Sequence, residues 1–289
     1  MKLLAVLLVL WAGAAVAADT TPQEVPEVVI EASKAGLAHR AVTVFAKPPY
    51  HEQIARWAQP LRVHVYYAPK AASDFICQRL AEIATTVGLK VVPVQSNANV
   101  AIVFTGQSGA FTRHLLKVHA GLYRDVDRIG FPTKSELAPL LQDRPVRWFE
   151  VRREEVAAAA GDLTLSKVSR STSHSTRLEE PTAFHKDLSY VIVDADLVRG
   201  VNWQQLADYL AMVVLTEPGL DDSTAPRESI LSIFSPANPE KPQELSALDR
   251  AVLKGFYHYD ESQRGKAQQA DIERTVAKTL SQAADGPRR

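Results

Sequence analysis

Cysteine is almost absent from this sequence, and neither sign of charge is in surplus. Cys77 is the single cysteine among 289 residues, so no intramolecular disulfide can form and the fold must rest on a packed core. Lysine and arginine together number 33, as do aspartate and glutamate. That balance argues against a nucleic-acid coat or an electrostatic membrane patch. Long apolar runs are missing after the N-terminus: Leu206 to Leu215 is the best of them, about half of the roughly 20 residues that a membrane helix needs. Cys77 itself sits beside Ile76 in a helical pattern and reads as a small packed residue.

The N-terminus is the exception. MKLLAVLLVLWAGAAVAADT joins a positive Lys2, an apolar run from Leu3 to Trp11 and the small residues Ala15-Val16-Ala17, the three-part plan of a secretory signal peptide. Cleavage after Ala17 is expected, giving a periplasmic or secreted chain without a transmembrane span. Residues 18–48 carry Pro, Thr and Glu around one apolar knot, VPEVVIEA, and read as a flexible leader or an edge strand. Residues 49–285 then form a single domain.

From Tyr50 the pattern alternates between periods. HEQIARWA reads as a short helix, and PLRVHVYY alternates Leu61, Val63 and Val65 with Arg62, His64 and Tyr66 as a strand does. Ile76, Leu80, Ile83 and Val87 share one helical face, and Gly88 can take the left-handed conformation that closes that helix. NVAIVFT reads as a strand buried on both faces. Helices are predicted at Phe111–Val118 and Thr133–Leu141, with strands at Pro145–Val151 and in LSYVIVDADLV. The Ser-rich stretch Ala157–Pro181 reads as a hairpin or a surface excursion. Strand, helix, strand with short connections predicts an α/β or α+β arrangement, a mixed sheet packed with helices.

NWQQLADYLAMVVLTE, residues 202–217, predicts a helix capped by Asn202 and apolar on nearly every side, hence a buried central helix at about 202–216. An acidic turn GLDDS, a tight SILSIF and LSALDRAVLKGFY follow, with Ser246 and Asp249 spaced as a helix start. In this order the chain resembles the zincin-like metallopeptidase fold, and most of all an uncharacterised bacterial family of exported zincin-like domains. The resemblance spans Tyr50 to Leu280, with its specific parts between Val191 and Tyr257. It implies a peptidase cleft along the central helix, and the cleft-facing positions fall on Asp208, Tyr209 and their neighbours. Active zincins carry H-E-x-x-H, two imidazoles four residues apart on one helix around a zinc ion. Here His51-Glu52 is the one His-Glu pair and Ala55 stands where the second histidine belongs. The central helix has no histidine, and its one polar pair at that spacing, Gln204 and Asp208, makes a poor zinc site. The resemblance implies a fold and withholds its activity: no metal and no cofactor are expected.

Other patterns carry less. TGQSGA, residues 105–110, lies between a strand and a helix as a nucleophile elbow does, but Ala110 replaces the final glycine. Were Ser108 a nucleophile, Asp194 and His258 would be its acid and base; otherwise Ser108 is a helix cap. His114 and His119 do not share a helical face. Glu217, Asp221, Asp222 and Glu228 offer oxygens without the loop spacing of a calcium site. The expectation is a non-catalytic binding or assembly protein of the bacterial envelope whose partner is an envelope protein or peptide. The alternative is a hydrolase using Ser108, or a peptidase with an unrecognised metal site.

Overall fold

The computed structural model of the chain describes residues 27–46, 53–94, 97–118, 134–156, 182–220 and 224–284. The expected signal peptide at 1–17 and the excursion at 157–181 lie outside them. Four strands, β1 (Val63–Tyr66), β2 (Val100–Thr105), β3 (Val146–Val156) and β4 (Thr182–Asp194), form one mixed sheet in the order β1-β2-β4-β3. β1, β2 and β4 are parallel, and β3 runs antiparallel to β4 with an irregularity between Val151 and Arg152. The fold is α/β, as the alternation of periods predicts.

Period-two alternation divides the sheet's side chains between two clusters. Val100, Ile102, Phe104, Trp148, Val191 and Val193 join the main core. Phe149 and Ile192 point the other way and pack with Leu115 of α3 (Ser108–Val118) in a second, smaller cluster. The main core is closed by α2 (Lys70–Thr86) and α5 (Trp203–Leu215), which pack on each other. α2 ends as its glycine predicts: Gly88 takes φ 80°, and Gly88 N–H and Leu89 N–H donate to the Thr85 and Ala84 carbonyls, a Schellman closure. α4 (Lys134–Leu141) packs beside α3. A 3-10 turn at Ile230–Phe234 precedes α6 (Ala247–Phe256) and α7 (Gly265–Ala284), and both helices open or pack as their sequences require. Ser246 and Asp249 form the expected reciprocal cap of α6.

Two expectations are corrected. Part of the leader at 18–48 is helix α1 (Glu27–Phe45), which packs against α7 and α6. Its Ala38, Ala41, Val42 and Phe45 recur at i, i+3, i+4 and i+7 and are all buried, a helical stripe that the polar composition upstream obscures. The stretch HEQIARWA supplies no helix over Gln53–Pro60. Ile54, Ala55 and Trp57 are all buried there, and the Ile54 and Ala55 amides donate to the side chains of Gln268 and Glu217. Tertiary acceptors have replaced helical ones.

Phe45→Ala tests the placement of α1. Deleting a fully buried ring should cost about 3–5 kcal/mol, read as a lower urea midpoint; an unchanged midpoint would mean that α1 is no part of the core.

Candidate functional site

The central helix begins as predicted: the Asn202 side chain accepts from Gln205 N–H, and the Gln205 side chain accepts from Asn202 N–H. Every residue from Gln205 to Leu215 is buried. Asp208 and Tyr209, expected to face a cleft, do not: both are 0 % exposed. Asp208 accepts from Arg79 Nε at 2.6 Å, Arg79 Nη2 at 3.2 Å, Gln204 Nε2 at 3.0 Å and Leu245 N–H at 2.7 Å. This is a two-pronged ion pair that fixes α2 and the approach to α6 on α5. Its carboxylate has no bonding direction left for a metal or a substrate. Tyr209 lies edge-on to Phe234 and Trp148, with ring centroids 5.0 and 6.4 Å away. The cleft implied by the resemblance is filled here by packed hydrocarbon, with Asp208 and Gln205 spending their polar groups on neighbouring elements.

At the C-terminal end of α5 the structure holds a buried network of charge. The last carbonyls of α5 cannot reach water, and no glycine closes the helix. Trp57 Nε1 donates to Val214 O at 2.8 Å, the Tyr257 hydroxyl to Leu215 O at 2.8 Å, and Lys186 Nζ to both Val214 O and Thr216 O. Lys186, a cation at the negative end of the helix dipole, also donates to Glu150. Arg152 pairs with Glu217 at 3.2 Å, and Glu217 accepts from Ala55 N–H at 3.0 Å. Burial pushes the Glu150 carboxyl up to about 7, with Lys186 pulling the other way and Glu217 adding to the rise. Burial also pushes the Tyr257 and Tyr259 hydroxyls up. Sequence reading missed Glu150, Arg152 and Lys186, since charge on a strand reads as solvent exposure, and took Glu217 only as an oxygen of the acidic turn. No pairwise signal was available, since the register sets Lys186 opposite Arg152 and Glu150 opposite Ser189, and the irregularity between Val151 and Arg152 lets Glu150 reach Lys186 off the pairing line.

Ser108 and Asp194 are brought together. The Ser108 hydroxyl donates to Asp194 Oδ2 and accepts from Arg147 Nη1, so Ser108 does not cap α3 as expected. It is 1 % exposed, and a hydroxyl whose lone pair is held by a guanidinium is a weakened nucleophile. Burial pushes the Asp194 carboxyl up, but the Ser108 hydroxyl, the Leu197 and Asp196 amides and the Arg147 charge outweigh it and hold it below the usual carboxylate range. Arg147 is fully buried and donates also to the carbonyls of Leu140, Gln142 and Arg144. The group pins the start of α3 and the end of β4 to β3 and α4. His258, the expected base, is exposed and its ring contacts its own helix at Lys254 O, 2.7 Å away.

His114 is exposed on α3, while His51, His119 and His174 lie outside the described residues, as do Asp221 and Asp222. Glu217 is engaged with Arg152 and Glu228 is exposed. Among the described residues no group of three His, Cys, Asp or Glu side chains is placed to hold a metal ion. The chain matches no family model, no curated protein and no solved structure.

Two outcomes follow. Asp208→Ala should cost about 3–5 kcal/mol, since it leaves Arg79 and a buried amide without their acceptor; a loss below about 1 kcal/mol would show that the pair is solvent-screened. The raised Glu150 carboxyl contributes stability that is complete below its ordinary value of 4.5 and is lost as pH rises through about 7. Urea unfolding across that range should therefore show a decline that Glu150→Gln reduces. An equal decline in the variant would remove Glu150 from the account.

Proposed function

We propose that this chain is a non-catalytic binding or assembly protein of the bacterial envelope, a zincin-like fold exported by its N-terminal segment. The observation that supports this reading is the use to which the central helix is put. Its one carboxylate, Asp208, binds Arg79 and the Leu245 amide, and its last carbonyls are taken by Trp57, Tyr257 and Lys186. A peptidase needs open coordination positions and a basic residue beside them. This helix presents packed hydrocarbon and saturated polar groups. No helix of the described residues is long and apolar enough to cross a membrane, which fits a partner met outside the bilayer, an envelope protein or peptide.

A second reading rests on one contact. Ser108 and Asp194 touch, and the hydrolase alternative would use that pair. Arg147 on the same hydroxyl works against it, and so does the position of His258.

One preparation separates the readings. The chain lacking residues 1–17 is incubated with zinc, dialysed and assayed for bound metal, then treated with a fluorophosphonate probe. The expected results are no zinc above the dialysis blank and no labelling. One tightly held zinc per chain overturns the non-catalytic reading in favour of a peptidase. Labelling that disappears in Ser108→Ala overturns it in favour of a serine hydrolase.

A further inference from the structure

Among the described residues, one histidine lies between two carboxylates. His185 stands on β4 opposite Arg153 of β3 and bridges to Arg56 of the Gln53–Pro60 segment. Its ring lies between two carboxylates on different elements. Nδ1 is 3.0 Å from Glu155 Oε2 on β3, and Nε2 is 3.4 Å from Glu261 Oε1 in the turn between α6 and α7. The two contacts differ in kind. The first has hydrogen-bond geometry, whereas Nε2 is buried and has no hydrogen-bond partner. The contact with Glu261 is therefore ionic, and it attracts only while the imidazole carries its second proton.

The surrounding charges leave that role to His185. Arg153 Nη2 donates to Asp187 at 2.7 Å, and Arg56 Nε donates to Glu261 at 2.5 Å while its guanidinium lies 4.8 Å from the centre of the Tyr259 ring. Glu154 accepts from the Thr182 hydroxyl. Among the described residues, the carboxylates of Glu155, Asp187 and Glu261 thus lie with the Arg56 and Arg153 guanidiniums and the His185 imidazole. We propose that His185 is a pH-operated latch: protonated, it fastens the β3–β4 hairpin to the α6–α7 turn, and neutral, it releases the turn. On losing its proton to solvent the ring keeps Nδ1–H for Glu155, where the hydrogen bond is formed. The Nε2 lone pair then faces the Glu261 carboxylate, and attraction becomes repulsion. Glu261 retains Arg56, and the turn keeps the bonds from Gln53 Nε2 to Glu261 O and Gln263 O. The change is therefore a local opening between turn and hairpin, with the core intact.

The direction with pH follows. Burial pushes the imidazole down, but the Glu261 and Glu155 carboxylates outweigh it and leave it raised above the ordinary value of 6.5. The latch is fully closed below that ordinary value and opens as pH rises through the raised one.

The test uses the whole mature chain at several values between about pH 5 and pH 8. NMR follows the His185 ring and the Glu261 and Ser262 amides, and hydrogen exchange, corrected for its intrinsic pH dependence, is read at the α6–α7 turn with the β2 amides as reference for global unfolding. The expected result is that the Glu261 and Ser262 amides titrate at the midpoint of the His185 ring. Exchange at the turn should rise relative to β2 by about tenfold for each unit of raised pKa. His185→Gln should show the open turn at every pH. Turn amides indifferent to the ring's titration overturn the proposal, as does a variant that retains the pH-dependent protection. Should the variant fail to fold, the titration of the unaltered chain decides alone.

Discussion

The end of α5 imposes the constraint on which the rest of the molecule depends. A helix buried along its whole length must find partners for its last carbonyls away from water, since an unsatisfied backbone group in the interior costs as much as a lost hydrogen bond. In this chain four donors from three other segments meet the need: the Trp57 indole, the Tyr257 hydroxyl, and the Lys186 ammonium on two carbonyls. Bringing in a lysine then obliges the fold to neutralise it, and Glu150 does so from the adjacent strand. Glu217, just beyond the helix, requires Arg152 in turn. The mixed sheet, the extended Gln53–Pro60 segment and the α6–α7 pair are all held in register by what this one helix terminus requires.

That arrangement also shapes the functional reading. A catalytic cleft needs polar groups with bonding capacity to spare, aimed at a space. Along α5 the polar groups converge on one another instead. Asp208 binds α2 to the approach of α6, and the Ser108, Asp194 and Arg147 group binds α3, β4, β3 and α4. Such networks give rigidity and a unique packing when every member is satisfied. They fit the proposed binding scaffold, and chemistry would have to break them.

The core helix was legible because its pattern is extreme: Asn202 and Gln205 form the start, and little but hydrocarbon follows. β2 was legible as a strand for the same reason, five of its six residues being buried. What escaped reading were groups whose meaning depends on a distant partner. Lys186 and Glu150 look solvent-facing until β3 and β4 are aligned, and the helical stripe of α1 is masked by the Pro- and Thr-bearing residues before it. Ser108 and Asp194 were legible only as nucleophile and acid of a hypothetical triad, while the Arg147 that joins them was invisible, since nothing local in TGQSGA announces a guanidinium from β3. Local periodicity reveals elements; buried charge needs topology.

The central claim is that Lys186 and Glu150 are one buried unit serving the end of α5. A double-mutant cycle measures this directly: urea unfolding of the unaltered chain, Lys186→Met, Glu150→Gln and the double variant, at a pH above about 7, where Glu150 is ionised against Lys186. The account predicts that each single change is severe and that the double variant loses less than their sum by about 2 kcal/mol. Additive losses would contradict it, and the end of the helix would then have to be held by something other than this pair.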